Sequence, residues 1–193
     1  MSWNDDQEFE RKWWSDCCNT FTEETKQLTY AYKMGLSCYA SYGKWPCYNI
    51  DRANVLDIGG GPVSLLLKCE NRGSCRVIDP CSYPMWVHSR YAEAGIDYQR
   101  VRGEDLRPDE RWDEVWIYNV LQHTEQPDLI IEKARLVAPL IRIFEWIDIP
   151  PHEGHPQELT ESGLNEWLGG KGTTEWLDEN GCYGRAYCGI FST

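Results

Sequence analysis

Positively charged side chains are scarce in this chain of 193 residues: 19 Lys and Arg stand against 31 Asp and Glu, for a formal net charge of -12 and a pI near 4.8. A surface that tracks a nucleic-acid backbone needs clustered cations, and no Lys/Arg run supplies them. Long apolar runs are missing too. No stretch nears the ~20 residues that cross a bilayer, so no membrane partner is expected. The nine cysteines, at 17, 18, 38, 47, 69, 75, 81, 182 and 188, include no Cys-x-x-Cys pair and are odd in number. That spacing speaks against structural zinc, and no metal is expected. With no apolar signal segment in the acidic start of the chain, the cysteines read as free thiols in a reducing cytoplasm. Internal repeats and low-complexity tracts are absent. The length suits one domain with a substantial core. Ten Trp and eleven Tyr are many for that length; aromatics pack cores as readily as they stack on ligands.

The most informative stretch is Val55-Leu56-Asp57-Ile58-Gly59-Gly60-Gly61-Pro62. Its apolar run reads as the end of a buried strand, and its three glycines as a turn where a ligand lies against bare main chain. Pro62 suits the first position of a helix. Strand, glycine turn and helix open a nucleotide-binding α/β domain. Asp57 precedes the glycines where a carboxylate would repel a diphosphate and attract a cation. Arg76-Val77-Ile78-Asp79 is a second apolar run closing on an acid, whose carboxylate can accept from both hydroxyls of a ribose.

On these residues the chain resembles the class I S-adenosylmethionine (SAM)-dependent methyltransferases. Asp57-Ile58-Gly59-Gly60-Gly61 is similar to their first motif, and Asp79 to the acid ending their second strand. Gly103-Glu104-Asp105-Leu106 resembles the acidic loop beside the adenine. The run from Asp113 through Asn119 to His123 resembles the fourth-strand motif; in the small-molecule branch it ends in Val-Leu-x-His before a Pro-containing helix start, here Pro127. The likeness spans roughly residues 50–191. It implies SAM as cofactor, S-adenosylhomocysteine as product and a small-molecule acceptor. Gly59, Gly60 and Gly61 would face the methionine portion with Asp57 near its ammonium, and Asn119 would lie below that portion. Asp79 would hold the ribose, and Pro80 and Cys81 would wall the adenine. Glu104 or Asp105 would accept from the adenine amino group, with Asp105 slightly preferred.

Residues 1–50 are expected to form a mostly helical extension or lid, with Phe9, Trp13 and Trp14 on one stripe. Thr20-Phe21-Thr22-Glu23 reads as a capping box opening a second helix that stops at Gly35. Trp13, Trp14, Asn19, Thr20, Lys26 and Tyr30 are the lid residues with polar tips or aromatic surface. Gly43-Lys44-Trp45-Pro46 reads as a turn-rich link. Residues 51–193 form the core. The pattern predicts strands near 53–58, 75–79, 97–101, 113–119 and 140–147, and helices near 62–71, 83–94, 126–138 and 160–168. Such alternation builds a parallel sheet with right-handed crossovers. Two last strands, 173–177 and 185–191, meet through Asn180-Gly181 as a hairpin. The fold expected is a Rossmann-like, seven-stranded, mostly parallel sheet with helices on both faces.

Methyl transfer is an in-line displacement, in which alignment of the reacting atoms alone supplies on the order of 7–11 kcal/mol. A base becomes useful where the acceptor must lose a proton. His123, just beyond the fourth strand, is the first candidate. His152, Glu153 and His155 form the second cluster, in a loop stiffened by Pro150 and Pro151 that reads as the acceptor-recognition loop. Two alternatives stay open: a non-catalytic SAM-binding module or subunit, and an RNA or nucleotide methyltransferase. A nicotinamide oxidoreductase is disfavoured by Asp57 and by the terminal hairpin.

Overall fold

The computed structural model describes residues 3–15, 17–41 and 44–193, without the side chains of residues 4, 17–19, 40, 41, 44 and 45. Two helices come first, α1 (Trp3–Trp13) and α2 (Cys17–Lys33). The strands β1 (Cys38–Ser41) and β2 (Lys44–Asn49) precede β3 (Val55–Ile58). Short β4 (Cys69–Glu70) and then β5 (Cys75–Ile78) lead to α3 (Met85–Glu93) and β6 (Asp97–Gln99). β7 (Glu114–Tyr118), α4 (Pro127–Val137) and β8 (Leu140–Trp146) follow, and α5 (Glu161–Leu168), β9 (Thr173–Glu179) and β10 (Cys182–Ser192) close the chain.

Seven strands form one sheet in the order β6-β5-β3-β7-β8-β10-β9. The pairs from β6 through β8 are parallel, and β10 runs antiparallel to both β8 and β9. The expected architecture is therefore present, including the hairpin: Asn180 (φ 51°) and Gly181 (φ 76°) are both left-handed, as a two-residue hairpin turn requires. Alternation along the strands divides the core into two layers. Trp116, Tyr118 and Phe144 pack with Tyr30 of α2, Met34 just beyond it and Tyr91 of α3. Val115, Ile117 and Ile143 face Ile130 and Ile131 of α4 and Leu164 of α5.

Four sequence expectations need correction. The helix predicted near 62–71 is two 3-10 turns, Gly61–Val63 and Leu65–Lys68, broken at Ser64 (φ -48°, ψ 142°) and followed by β4. Tyrosine hydroxyls take the place of helical acceptors there: the Ser64 N–H donates to Tyr91 Oη (3.1 Å) and the Leu65 N–H to Tyr118 Oη (2.9 Å). The capping box is not one, since α2 starts at Cys17 and Thr20 lies inside it. Glu23 instead turns its carboxylate to Lys26 and Asn119. The predicted strands do not include β1, β2 and β4, which form a three-stranded side sheet in addition to the two helices of residues 1–50. Of the link at 43–46, Gly43 lies outside the described residues, and Lys44 already begins β2.

Candidate functional site

Parallel strands deliver their following loops to one edge of the sheet, and open sheets bind ligands there. The register brings those loops level: Ile58 pairs with both Ile78 and Ile117, so Gly59, Asp79 and Tyr118 follow at one height. A cavity of about 620 Å³ opens along this edge, a size typical of small-molecule sites. In strand order its wall carries Glu104 after β6, Asp79 after β5, Gly59 and Gly61 after β3, Asn119 after β7 and Trp146 at the end of β8. Three strand spacings, roughly 14 Å, separate the first of these from Asn119.

Gly59 (φ 72°) and Gly61 (φ 58°) hold left-handed backbone that other residues rarely adopt. A Cβ at Gly59 would lie 2.5 Å from Val120 Cγ2, so the turn is bare because it must be. Asp79 accepts from the Gly61 N–H at Oδ2 (3.1 Å) and from the Cys81 N–H at Oδ1 (2.9 Å). Burial pushes its carboxyl up to about 6, against the pull of those two N–H groups.

Asp57 does not reach the wall. Strand alternation turns it into the layer below, fully buried, where Oδ2 accepts from Ser64 Oγ (2.5 Å) and Tyr118 Oη (2.7 Å). Gly60 seals it, since a Cβ there would sit 2.5 Å from that oxygen. Its Oδ1 is buried without a hydrogen-bond partner among the described residues, and burial pushes the carboxyl up to about 7. Gly60 is likewise off the wall. Of the two adjacent acids, Glu104 is buried on the wall, while Asp105, the one slightly preferred from the sequence, is exposed and does not line the cavity. Glu104 Oε1 accepts from the N–H groups of Glu125 (3.2 Å) and Gln126 (3.4 Å) at the start of α4 and pairs with Arg102 (3.3 Å). Ile58, Ile78, Pro80, Gly103 and Ile130 make this part of the cavity apolar.

All four residues singled out for proton chemistry line the cavity. His152 and His155 exchange both main-chain hydrogen bonds (3.0 and 2.9 Å), so the loop is a tight turn with Glu153 and Gly154 at its tip. The rings of His123 and His155 lie 4.4 Å apart, and those of His152 and His155 4.2 Å. His123 Nδ1 lies 2.6 Å from Gly154 O and 3.2 Å from Glu10 Oε1. Burial works against its charge, but Glu10 and the Gly154 carbonyl overcome it and raise His123 to about 9. His155 is driven the other way, to about 3, by burial and by the neighbouring His123 and His152. Among the described residues no three His, Cys, Asp or Glu side chains are grouped to hold a metal.

Residues that sequence reasoning missed come mostly from the helices over the cavity. Trp3, Gln7 and Glu10 recur at helical spacing with Trp14, which was expected in the lid, and line the cavity together. Asp6 Oδ1 accepts from the Gly154 N–H (3.1 Å) and Arg102 lies 4.4 Å over the Trp3 ring, fastening α1 in place. That periodic acid on an aromatic stripe was a signal available in the sequence. Glu145 is another: fully buried inside an apolar strand, it accepts from the N–H groups of Val120 and Leu121 (3.1 Å each) and so shapes the turn that carries His123. Asn19, expected in the lid, has no described side chain.

No family model matches the sequence, and no curated protein matches it either. Solved structures do. The fold is similar to that of magnesium protoporphyrin IX methyltransferase from Synechocystis PCC 6803 with bound SAM (TM-score 0.62, 14% identity, 97% of this chain and 98% of that one). It is also similar to the N-methyltransferase NodS from Bradyrhizobium japonicum in complex with S-adenosylhomocysteine (0.56, 15%, 72% and 77%). A third likeness is to the cyclase SpnF (0.55, 17%, 81% and 59%). The chain thus has the Rossmann-like fold of the class I methyltransferases.

Proposed function

We propose that this chain is a SAM-dependent methyltransferase acting on a small-molecule acceptor. One observation carries the reading: along one cavity, in strand order, stand an apolar slot, a buried acid, bare glycine backbone, Asn119 and a histidine cluster. The solved neighbours with SAM or S-adenosylhomocysteine bound support the same cofactor here.

The residues present fit that cofactor. Each oxygen of Asp79 takes one main-chain N–H, and a carboxylate oxygen can accept twice, so both keep capacity for the vicinal hydroxyls of a ribose. Ile58, Ile78, Pro80 and Ile130 offer apolar surface to a base, with Glu104 at the edge. Gly59 and Gly61 present bare main chain to the amino-acid end. Bound there, the cofactor supplies an electrophilic methyl group on a sulfonium.

The chain's own tasks are orientation and proton removal. Trp13, Trp14 and Trp146 border the acceptor side and limit water. His123, held by Glu10, is an imidazolium at neutral pH and has no free nitrogen lone pair with which to accept a proton. His155 stays neutral, and a neutral imidazole always keeps one unprotonated ring nitrogen. His155 therefore keeps an open nitrogen on the wall; with a conjugate acid near 3 it is a weak base that orients the acceptor and takes a proton only once the new bond to the methyl group has made the acceptor strongly acidic, with His123 as its fixed neighbour and His152 and Glu153 at the exposed rim. The α1 segment and the first half of α2 act with the core as the cover of this cavity.

Calorimetric titration with SAM and S-adenosylhomocysteine, followed by methyl release on fractionated metabolite pools, tests the reading. Binding plus turnover is expected, with turnover lost in His155→Ala while cofactor affinity stays within about threefold. Since the fold also carries a cyclase, binding without methyl release on any pool would favour a non-methylating role. No binding at all would end the proposal.

A further inference from the structure

With Asp57 turned into the protein, the amino-acid end of a nucleoside ligand needs another partner for its ammonium group, and the cavity wall has one. This inference rests on the cofactor reading above. Four of the five carboxylates on the wall are assigned or remote: Glu10 to His123, Asp79 to the ribose in the reading above, Glu104 to the start of α4, and Glu153 to the exposed rim. Glu23 differs. It projects from α2, is 5% exposed and stands against Asn119, the residue that follows β7. Asn119 Nδ2 donates to Glu23 Oε1 at 3.3 Å, and Lys26 Nζ lies 3.4 Å from Oε2, both long contacts that leave the carboxylate with acceptor capacity.

Lys26 sits one helical turn further along α2 and is the sole Lys or Arg among the described residues lining this cavity. Its ammonium has three donors, of which Glu23 takes one. A buried carboxylate and a part-buried ammonium side by side match a free α-amino acid, which carries both charges on neighbouring carbons. Placing that zwitterion between them replaces one ion pair by two and adds no net charge, so no buried charge is left unpaired. The position along the sheet agrees. Asp79 and the glycine turn occupy the two strands before β7, where the ribose and the chain leading from it would lie.

We propose that Glu23 and Lys26 form a clamp for the zwitterionic amino-acid end of the cofactor, Glu23 accepting from its ammonium and Lys26 donating to its carboxylate. The clamp selects nucleosides that carry a free α-amino acid over those cut back to the thioether.

Equilibrium titration of the full chain with two ligands tests this: S-adenosylhomocysteine, which has the amino-acid end, and 5'-methylthioadenosine, which lacks it. Charge-assisted hydrogen bonds are worth roughly 1.5–3 kcal/mol, or about 10- to 100-fold in affinity. The wild-type chain should prefer S-adenosylhomocysteine by at least about tenfold. Lys26→Met and Glu23→Gln should each remove about tenfold of that affinity while 5'-methylthioadenosine stays within about twofold, which also shows that each variant is folded. Unchanged S-adenosylhomocysteine affinity, or an equal loss for both ligands, would overturn the clamp. A wild-type chain that binds neither ligand would overturn the cofactor reading instead.

Discussion

Glu10 and His123, 113 positions apart, meet with 3.2 Å between Oε1 and Nδ1 and so tie the first helix to the turn beyond β7. The Glu10 carboxyl is held below its usual range by His123, despite burial that works against it. The contact fixes one edge of the cavity and sets the charge of His123, which in turn keeps His155 neutral.

Stability should therefore depend on pH through His123. Its pKa rises from 6.5 to about 9 on folding, so the folded chain holds this proton more tightly. The stabilisation is complete below about pH 6.5 and is lost as pH rises through about 9. Asp57, Asp79 and Glu145, pushed up to about 7, 6 and 7, act mainly at lower pH, and the raised thiols at higher pH. Thermal unfolding followed by circular dichroism should show Tm falling from about pH 7 to about pH 8.5 in the wild type, and nearly flat in Glu10→Gln. A wild-type Tm that climbs over this window would mean His123 is neutral in the folded chain.

Asp57 should behave as a structural acid. Asp57→Ala leaves the buried hydroxyls of Ser64 and Tyr118 without their acceptor, at roughly 1–3 kcal/mol each, or several degrees in Tm for a domain of this size. Nucleoside affinity should fall together with stability, because the glycine turn rests on this carboxylate. Asp57→Asn keeps an acceptor oxygen and should lose less of both. Abolished binding at unchanged Tm would show instead that Asp57 touches the ligand.

Glu104 and Asp105 should separate cleanly. Glu104→Ala strips the acceptor from the first turn leading into α4 and leaves Arg102 short of a partner, so Tm and S-adenosylhomocysteine affinity both drop. Asp105→Ala, at an exposed position, should shift stability by no more than about 0.5 kcal/mol and leave affinity unchanged. The reverse ranking in a side-by-side titration would contradict the orientation of this turn.

Much of this molecule was legible before any coordinate. The β3, β5, β7 and β8 runs are dense in apolar residues, Thr160 and Pro127 mark helix starts, and Asn180-Gly181 can scarcely be anything but a hairpin turn. The wall residues Gly59, Gly61, Asp79, Pro80, Asn119, His123, His152, Glu153 and His155 follow because strand ends declare themselves. What misled was local: Pro62 and the leucines after it read as a helix, yet two tyrosine hydroxyls from α3 and β7 claim the N–H groups of Ser64 and Leu65.

Sequence alone determined the order of the seven main-sheet strands, the helices from α3 onward and the edge at which the polar groups gather, since those depend on hydrophobic period and turn chemistry within a few residues. Tertiary structure decided which way each acid points. Asp57 and Asp105 turn from the cavity and Glu104 toward it, a matter of single-residue register that composition does not carry. It also brought Glu10 to His123 and Glu23 to Asn119, because only the packing of α1 and α2 across the strand ends makes neighbours of residues so far apart along the chain.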